Sequence, residues 1–107
     1  MFIVLLRFVG DKAKAGQFMD GHNAWIKRNF DRGVFLLVGT LKPALGGAIL
    51  AHNATRAELE RLVGDDPFVV EGVVNAEILE IAPGKADERL SFLLGQPTAA
   101  RNEPPRC

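Results

Sequence analysis

A histidine whose ring nitrogen is held by a carboxylate can take up and release a proton near neutral pH, and this sequence offers such a pair in His22 and Asp66. Phe18, Met19, Trp25, Ile26 and Phe30 recur around His22 at helical spacing, so the stripe that would face a core includes the imidazole. A histidine on such a face is more often a hydrogen-bonded core residue than a catalyst. Asp66 precedes Pro67 and Phe68, and an aspartate before a proline is by default a helix cap, since proline suits the first helical position. The two roles are compatible. One carboxylate oxygen can cap the turn while the other takes the imidazole proton, which fixes the tautomer and leaves the second ring nitrogen as an acceptor. The pair is expected to be hydrogen-bonded at the edge of a pocket, with His22 as general acid or base and Asp66 as its orienter.

Four further residues are candidates for holding a substrate. Arg7 interrupts an apolar segment, where a cation is costly unless paired. It either ion-pairs with Glu77 or Glu80 across neighbouring strands or holds an anionic substrate. Trp25, one helical turn from His22, is an aromatic wall or simply core. Gly46 and Gly47 offer backbone amides to an oxyanion or merely make a turn. Metal binding is not expected: His52 is the other histidine, Cys107 is the single cysteine, and no spaced ligand set is present. Ser91 stands in no nucleophile elbow, and no dinucleotide fingerprint or haem attachment motif appears, so any enzyme here is expected to work without a bound cofactor.

The elements that must position these residues follow from periodicity and punctuation. Phe2 to Val9 is apolar at both parities except for Arg7, the pattern of a central strand covered on both faces. Lys12 to Arg32 has helical period, and Gly33 ends it. Val34 to Leu41 is strand-like, and the segment from Lys42 to Gly47 supplies turn chemistry before a short strand, Ala48 to His52. Thr55 with Glu58 forms a capping-box signature for a second helix carrying Leu59, Leu62 and Val63, and Gly64 closes it. Asp66 and Pro67 start one more helical turn, Val73 to Ile81 is the last strand, and Ala86 to Leu94 is compatible with a terminal helix. This order of strand, helix, strand, strand, helix, strand is the α+β, ferredoxin-like βαββαβ arrangement, with an antiparallel sheet and both helices on one side. Something must cover the other side. A second copy packed sheet to sheet is the simplest cover, giving a dimeric α/β barrel.

Length and composition bound the rest. The 107 residues make one domain, read as 1–95 followed by a mobile tail, 96–107, in which Pro97, Pro104 and Pro105 oppose regular structure. Thirteen basic and thirteen acidic residues give a formal charge of zero, so no long-range field favours nucleic acid. No apolar run approaches the roughly 18 residues of a membrane span. The apolar start is read as a strand and not a signal peptide, because Arg7 interrupts it, no basic segment precedes it and no cleavage site follows. With one cysteine and no internal disulfide, the cytoplasm is the expected compartment.

The strand Phe2 to Phe8, His22 with Trp25, Gly39-Thr40-Leu41-Lys42-Pro43 with Gly46-Gly47, Asp66-Pro67-Phe68, Gly72 and Ala76-Glu77-Ile78 together resemble the YCII-related family over nearly everything from Met1 to Pro83. The resemblance implies a ferredoxin-like, dimeric α/β-barrel fold and a histidine–aspartate pair suspected of catalysis, which carries over to His22 and Asp66. Members are mostly uncharacterised small bacterial proteins, and one is associated with removing chloride from a chlorinated hydroxyquinol. The expectation is therefore a homodimeric small-molecule enzyme, a lyase or hydrolase acting by acid–base chemistry on an oxygenated or aromatic metabolite. The alternative is a non-catalytic dimer that binds a metabolite or another protein, its histidine and aspartate serving to hold the first helix in place.

Overall fold

The computed structural model describes residues 1–10 and 12–95, so the tail expected at 96–107 lies outside the described residues. Strand β1 (Phe2–Phe8) leads through a 3-10 turn (Lys12–Lys14) into helix α1 (Ala15–Asp31). Strands β2 (Phe35–Leu41) and β3 (Gly46–Ala51) follow, then helices α2 (Arg56–Gly64) and α3 (Pro67–Val70), strand β4 (Val74–Glu80) and a closing 3-10 segment (Glu88–Gly95). The strands lie in the order β2-β3-β1-β4, and every neighbouring pair is antiparallel. This is the ferredoxin-like α+β fold.

Local chemistry accounts for most boundaries. Gly33, at φ 77°, takes the left-handed conformation that ends α1, a conformation without steric cost only for glycine. At the start of α2 the Thr55 side chain accepts from the Glu58 amide at 3.1 Å while the Glu58 carboxylate accepts from the Thr55 amide at 2.8 Å. Two of the amides that the helix start leaves without a backbone partner are thereby satisfied. Hydrogen bonds from Thr55 to the Glu58 carboxylate, the backbone one first and then the side chain's, hold that carboxyl below its usual value. Helix α1 begins at Ala15 instead of Lys12, because the preceding residues close as a 3-10 turn and Lys14 brings no side-chain cap.

Two elements depart from the sequence reading. Gly46 and Gly47 belong to β3 and not to the turn, which is made by residues 42–45. The reason is a close approach of two backbones: Gly46 sits opposite Arg7 of β1 at φ 137°, and a Cβ there would collide with the Leu6 carbonyl oxygen. At the other end, the expected helix Ala86 to Leu94 is a 3-10 segment, started by Asp87, whose carboxylate accepts from the Arg89 amide and guanidinium, both at 2.9 Å.

The core lies between the sheet and the helices. Phe2, Val4 and Leu6 of β1, Phe35 of β2 and Ile49 and Ala51 of β3 meet Trp25 of α1, Leu59, Leu62 and Val63 of α2 and Phe68 of α3. Each large aliphatic side chain buried there contributes about 1.5–3 kcal/mol. Side chains alternate across a strand, so Ile3, Leu5 and Arg7 point to the opposite face. They are joined there, through the pairing register, by Leu37, Ala48, Leu50, Glu77 and Leu79. Ile3 and Leu5 are half-buried, whereas Leu37 and Leu79 are exposed. Within one chain, then, β1 is central but fully covered on one face only. Leu93 of the closing segment is buried outside the main core, and its neighbour Phe92 packs edge-on against His52, with ring centroids 5.5 Å apart.

Candidate functional site

The site is built where α1 crosses the junction of α2 and α3. Asp66 is the N-cap of α3: its Oδ1 accepts from the Phe68 amide at 3.1 Å, with Pro67 at the first helical position. The carboxylate is wholly buried. Its Oδ1 also lies 2.7 Å from Nδ1 of His22, and since a carboxylate oxygen accepts, Nδ1 carries the proton. The neutral ring is thus set as the Nδ1–H tautomer with Nε2 as the acceptor. Nε2 makes no hydrogen bond to a described residue. The cap and the imidazole share one oxygen, whereas two separate oxygens were expected. Oδ2, the second oxygen, is buried without a hydrogen-bond partner.

The imidazole lies against aromatic rings. It stacks on Phe68 with centroids 3.9 Å apart and planes within 6° of parallel, and Trp25 lies 5.7 Å away at 28°. Trp25 is itself anchored by donation from Nε1 to the Leu62 carbonyl at 2.9 Å. This ties α1 to the end of α2, so the sequence stripe on α1 meets the cap of α3 at a defined height. Gly21 permits the contact. A Cβ at that position would stand 3.1 Å from Cγ of Pro67, tighter than ordinary packing. The His22 side chain keeps 12% of its surface exposed, all that connects the pair to solvent.

Of the residues singled out by sequence, His22, Asp66 and Trp25 are brought together. Trp25, at 1% exposed, is core and not a wall open to a ligand. Arg7 is elsewhere: it lies on the opposite face of the sheet and donates to Oε1 of Glu77 at 2.7 Å, with both side chains about half exposed (53% and 51%). Expected as a costly cation within an apolar strand, it stands in solvent with one of the two partners foreseen for it. Gly46 and Gly47 serve the packing of β3 on β1 and do not face His22. Phe68 is the neighbour the sequence reading passed over. Its signal was the cap itself, since a residue two places after a capping aspartate has its amide on that carboxylate and its ring in the same turn.

A surface groove runs between Arg56 and Glu60 of α2, Val69 of α3 and Ala76 and Ile78 of β4, and neither His22 nor Asp66 lines it. Among the described residues no cluster of three or more histidine, cysteine or acidic side chains is placed to hold a metal ion, and no helix is long and apolar enough to cross a membrane.

No family model and no curated protein matches the chain. A solved structure does: 5-chloro-2-hydroxyhydroquinone dehydrochlorinase from Burkholderia phenoliruptrix AC1100, in complex with 2,5-dihydroxybenzoquinone. It superposes with a TM-score of 0.64 at 15% identity, over 83% of this chain and 98% of that chain. The likeness establishes a shared fold.

Proposed function

We propose that this chain is a small-molecule enzyme of the YCII-related type, acting without a bound cofactor on an oxygenated aromatic compound, with His22 as general acid or base and Asp66 as its orienter. The observation that carries this reading is the 2.7 Å contact between Nδ1 of His22 and a carboxylate sealed from solvent, which leaves Nε2 as the proton acceptor. In a lyase step, the electron pair left by a phenolic proton taken up at Nε2 moves into the ring, the carbon bearing the leaving group takes up a proton, and loss of a second hydroxyl proton then expels the leaving group with the electrons of its own bond, so that the ring ends as a quinone. In a hydrolase step Nε2 takes a proton from water, the hydroxide adds to a substrate carbon, and the leaving group departs with its bond electrons and takes that proton from Nε2. The substrate class is suggested by the dihydroxybenzoquinone held by the structural neighbour.

The test is to incubate the chain with chlorinated and unchlorinated hydroquinones and hydroxyquinols, following chloride release and ultraviolet absorbance. Turnover should fall at least about a hundredfold in His22→Asn, the low end for a general base, with folding retained. A second reading, a non-catalytic dimer that binds a metabolite or a protein, draws on the same Oδ1 capping α3. A wild-type chain without turnover, together with a His22→Asn variant that melts lower, would establish that reading instead.

We also infer a homodimer formed sheet to sheet. Ile3, Leu5, Leu37, Leu50 and Leu79 make an apolar patch on the face the helices leave open, and a second copy covers it in the simplest symmetric way. Light scattering should give twice the chain mass of 11.6 kDa, and Leu37→Lys with Leu79→Lys should halve it. A wild-type mass of one chain would remove the argument.

A further inference from the structure

We propose that Phe68 is the positioning residue of the pair: it sets the plane of the His22 imidazole and thereby the direction in which Nε2 faces a substrate. The inference rests on the proton-transfer role proposed above and adds the residue that controls it.

The terminal torsion of a histidine is broad, so a single hydrogen bond from Nδ1 selects one well and still lets the ring tilt within it. A second contact must narrow that tilt. The Phe68 ring lies parallel to the imidazole within 6° at 3.9 Å, so rotation of His22 about its terminal torsion would drive ring edges into the phenyl face. Phe68 is itself held twice. Its ring belongs to the main core at 5% exposure, and its amide donates to the same Asp66 Oδ1 that accepts from His22. One carboxylate oxygen thus locates the imidazole by its nitrogen and the phenyl ring by its backbone. The three residues close a loop in which the position of each depends on the other two. Trp25 is also stacked on the imidazole but more loosely, tilted by 28° with its centroid 5.7 Å away, so it constrains the plane less closely than Phe68 does.

The experiment reads the ring itself and, separately, turnover. In the wild type the His22 ring protons should be shifted upfield by the Phe68 ring current, and nitrogen-15 correlation spectra of the neutral ring should show one tautomer, with the proton on Nδ1. Phe68→Leu should remove most of the upfield shift, leaving the smaller contribution of Trp25, and should broaden or average the nitrogen signals, while Phe68→Tyr, which keeps the ring, should retain the shift and the single tautomer. On an accepted substrate, Phe68→Leu should lower kcat about tenfold to a hundredfold with KM little changed, the signature of a misaligned base. Unshifted, averaging His22 signals in an active wild-type protein would overturn the positioning and leave the catalytic role standing. A fixed ring in a chain that turns over no substrate would sink the catalytic role and, with it, the inference. The wild-type spectrum keeps the proposal falsifiable should Phe68→Leu fail to fold. A folded Phe68→Leu with unchanged spectra and kcat would also overturn it.

Discussion

Two contacts between a basic and an acidic side chain, each 2.7 Å long, lie on opposite sides of the same sheet: His22 with Asp66 in the helical layer and Arg7 with Glu77 on the open face. Length alone would rank them equal. Asp66 is sealed from water, shares its Oδ1 with a helix cap and leaves Oδ2 unpartnered, so its interactions are undamped by solvent and its desolvation is uncompensated on one side. Arg7 and Glu77 are both half in water, where screening and side-chain entropy cancel most of the attraction. The buried contact therefore governs geometry, while the exposed one decorates a surface. Distance is a poor guide to the weight of a polar contact; burial and sharing decide it.

That contrast breaks most sharply under mutation. Asp66→Ala removes the cap of α3 and leaves the Nδ1–H of His22 without an acceptor, so it should lower stability by about 2–4 kcal/mol, of which about 1 belongs to the cap. Arg7→Ala should cost less than about 1 kcal/mol. Chemical denaturation of the two variants checks the pair of values, and equal losses would undo the comparison.

Next in size are two strand glycines. Gly46→Ala sets a methyl group against the Leu6 carbonyl at a backbone angle of φ 137° and should lower stability by about 2–4 kcal/mol. Gly39→Ala, with nothing within 4 Å of its new Cβ, should be neutral or stabilising by up to about 1 kcal/mol. Denaturation midpoints moving in the same direction would show that β3 is not pinned on β1 as described.

The smallest effect concerns the second histidine. Burial chiefly, with the charge of the N-terminus, lowers the His52 pKa below its usual 6.5 against a smaller opposing hydrogen bond at Gly33. A depressed histidine binds its proton more readily in the unfolded chain. The stability it contributes is full above pH 6.5 and is lost as the pH falls through the lower folded value. Melting temperature should therefore decline on acidification below pH 6.5, less steeply in His52→Asn. A slope unchanged by that substitution would place the acid sensitivity elsewhere.

Much of this molecule is decided by groups a few residues apart, and those parts were legible in the chain. Gly33 ends α1, Thr55 and Glu58 open α2, and Asp66 with Pro67 opens α3, each through steric or hydrogen-bonding rules that act within one turn. The stripe from Phe18 to Phe30 marks the face of α1, and its alternation with strands led to the ferredoxin-like order. Other features depend on which distant segments meet. Nothing near Leu5 or Phe2 in sequence tells which parity of β1 the helices cover, since both are apolar; the pairing of β1 with β3 and β4 and the packing of α1 decide it. Gly46 reads as a turn residue until the Leu6 carbonyl is brought against it. The sequence by itself determined the four strands, helices α1 to α3 and the caps that open α2 and α3, because local geometry needs no partner, and it marked His22 and Asp66 as candidates through an apolar stripe and a cap. Only the tertiary structure decided that one Asp66 oxygen serves both the cap and His22, that the Phe68 ring stacks on the imidazole and that Arg7 stands on the far face, because burial and shared contacts are properties of the assembled chain.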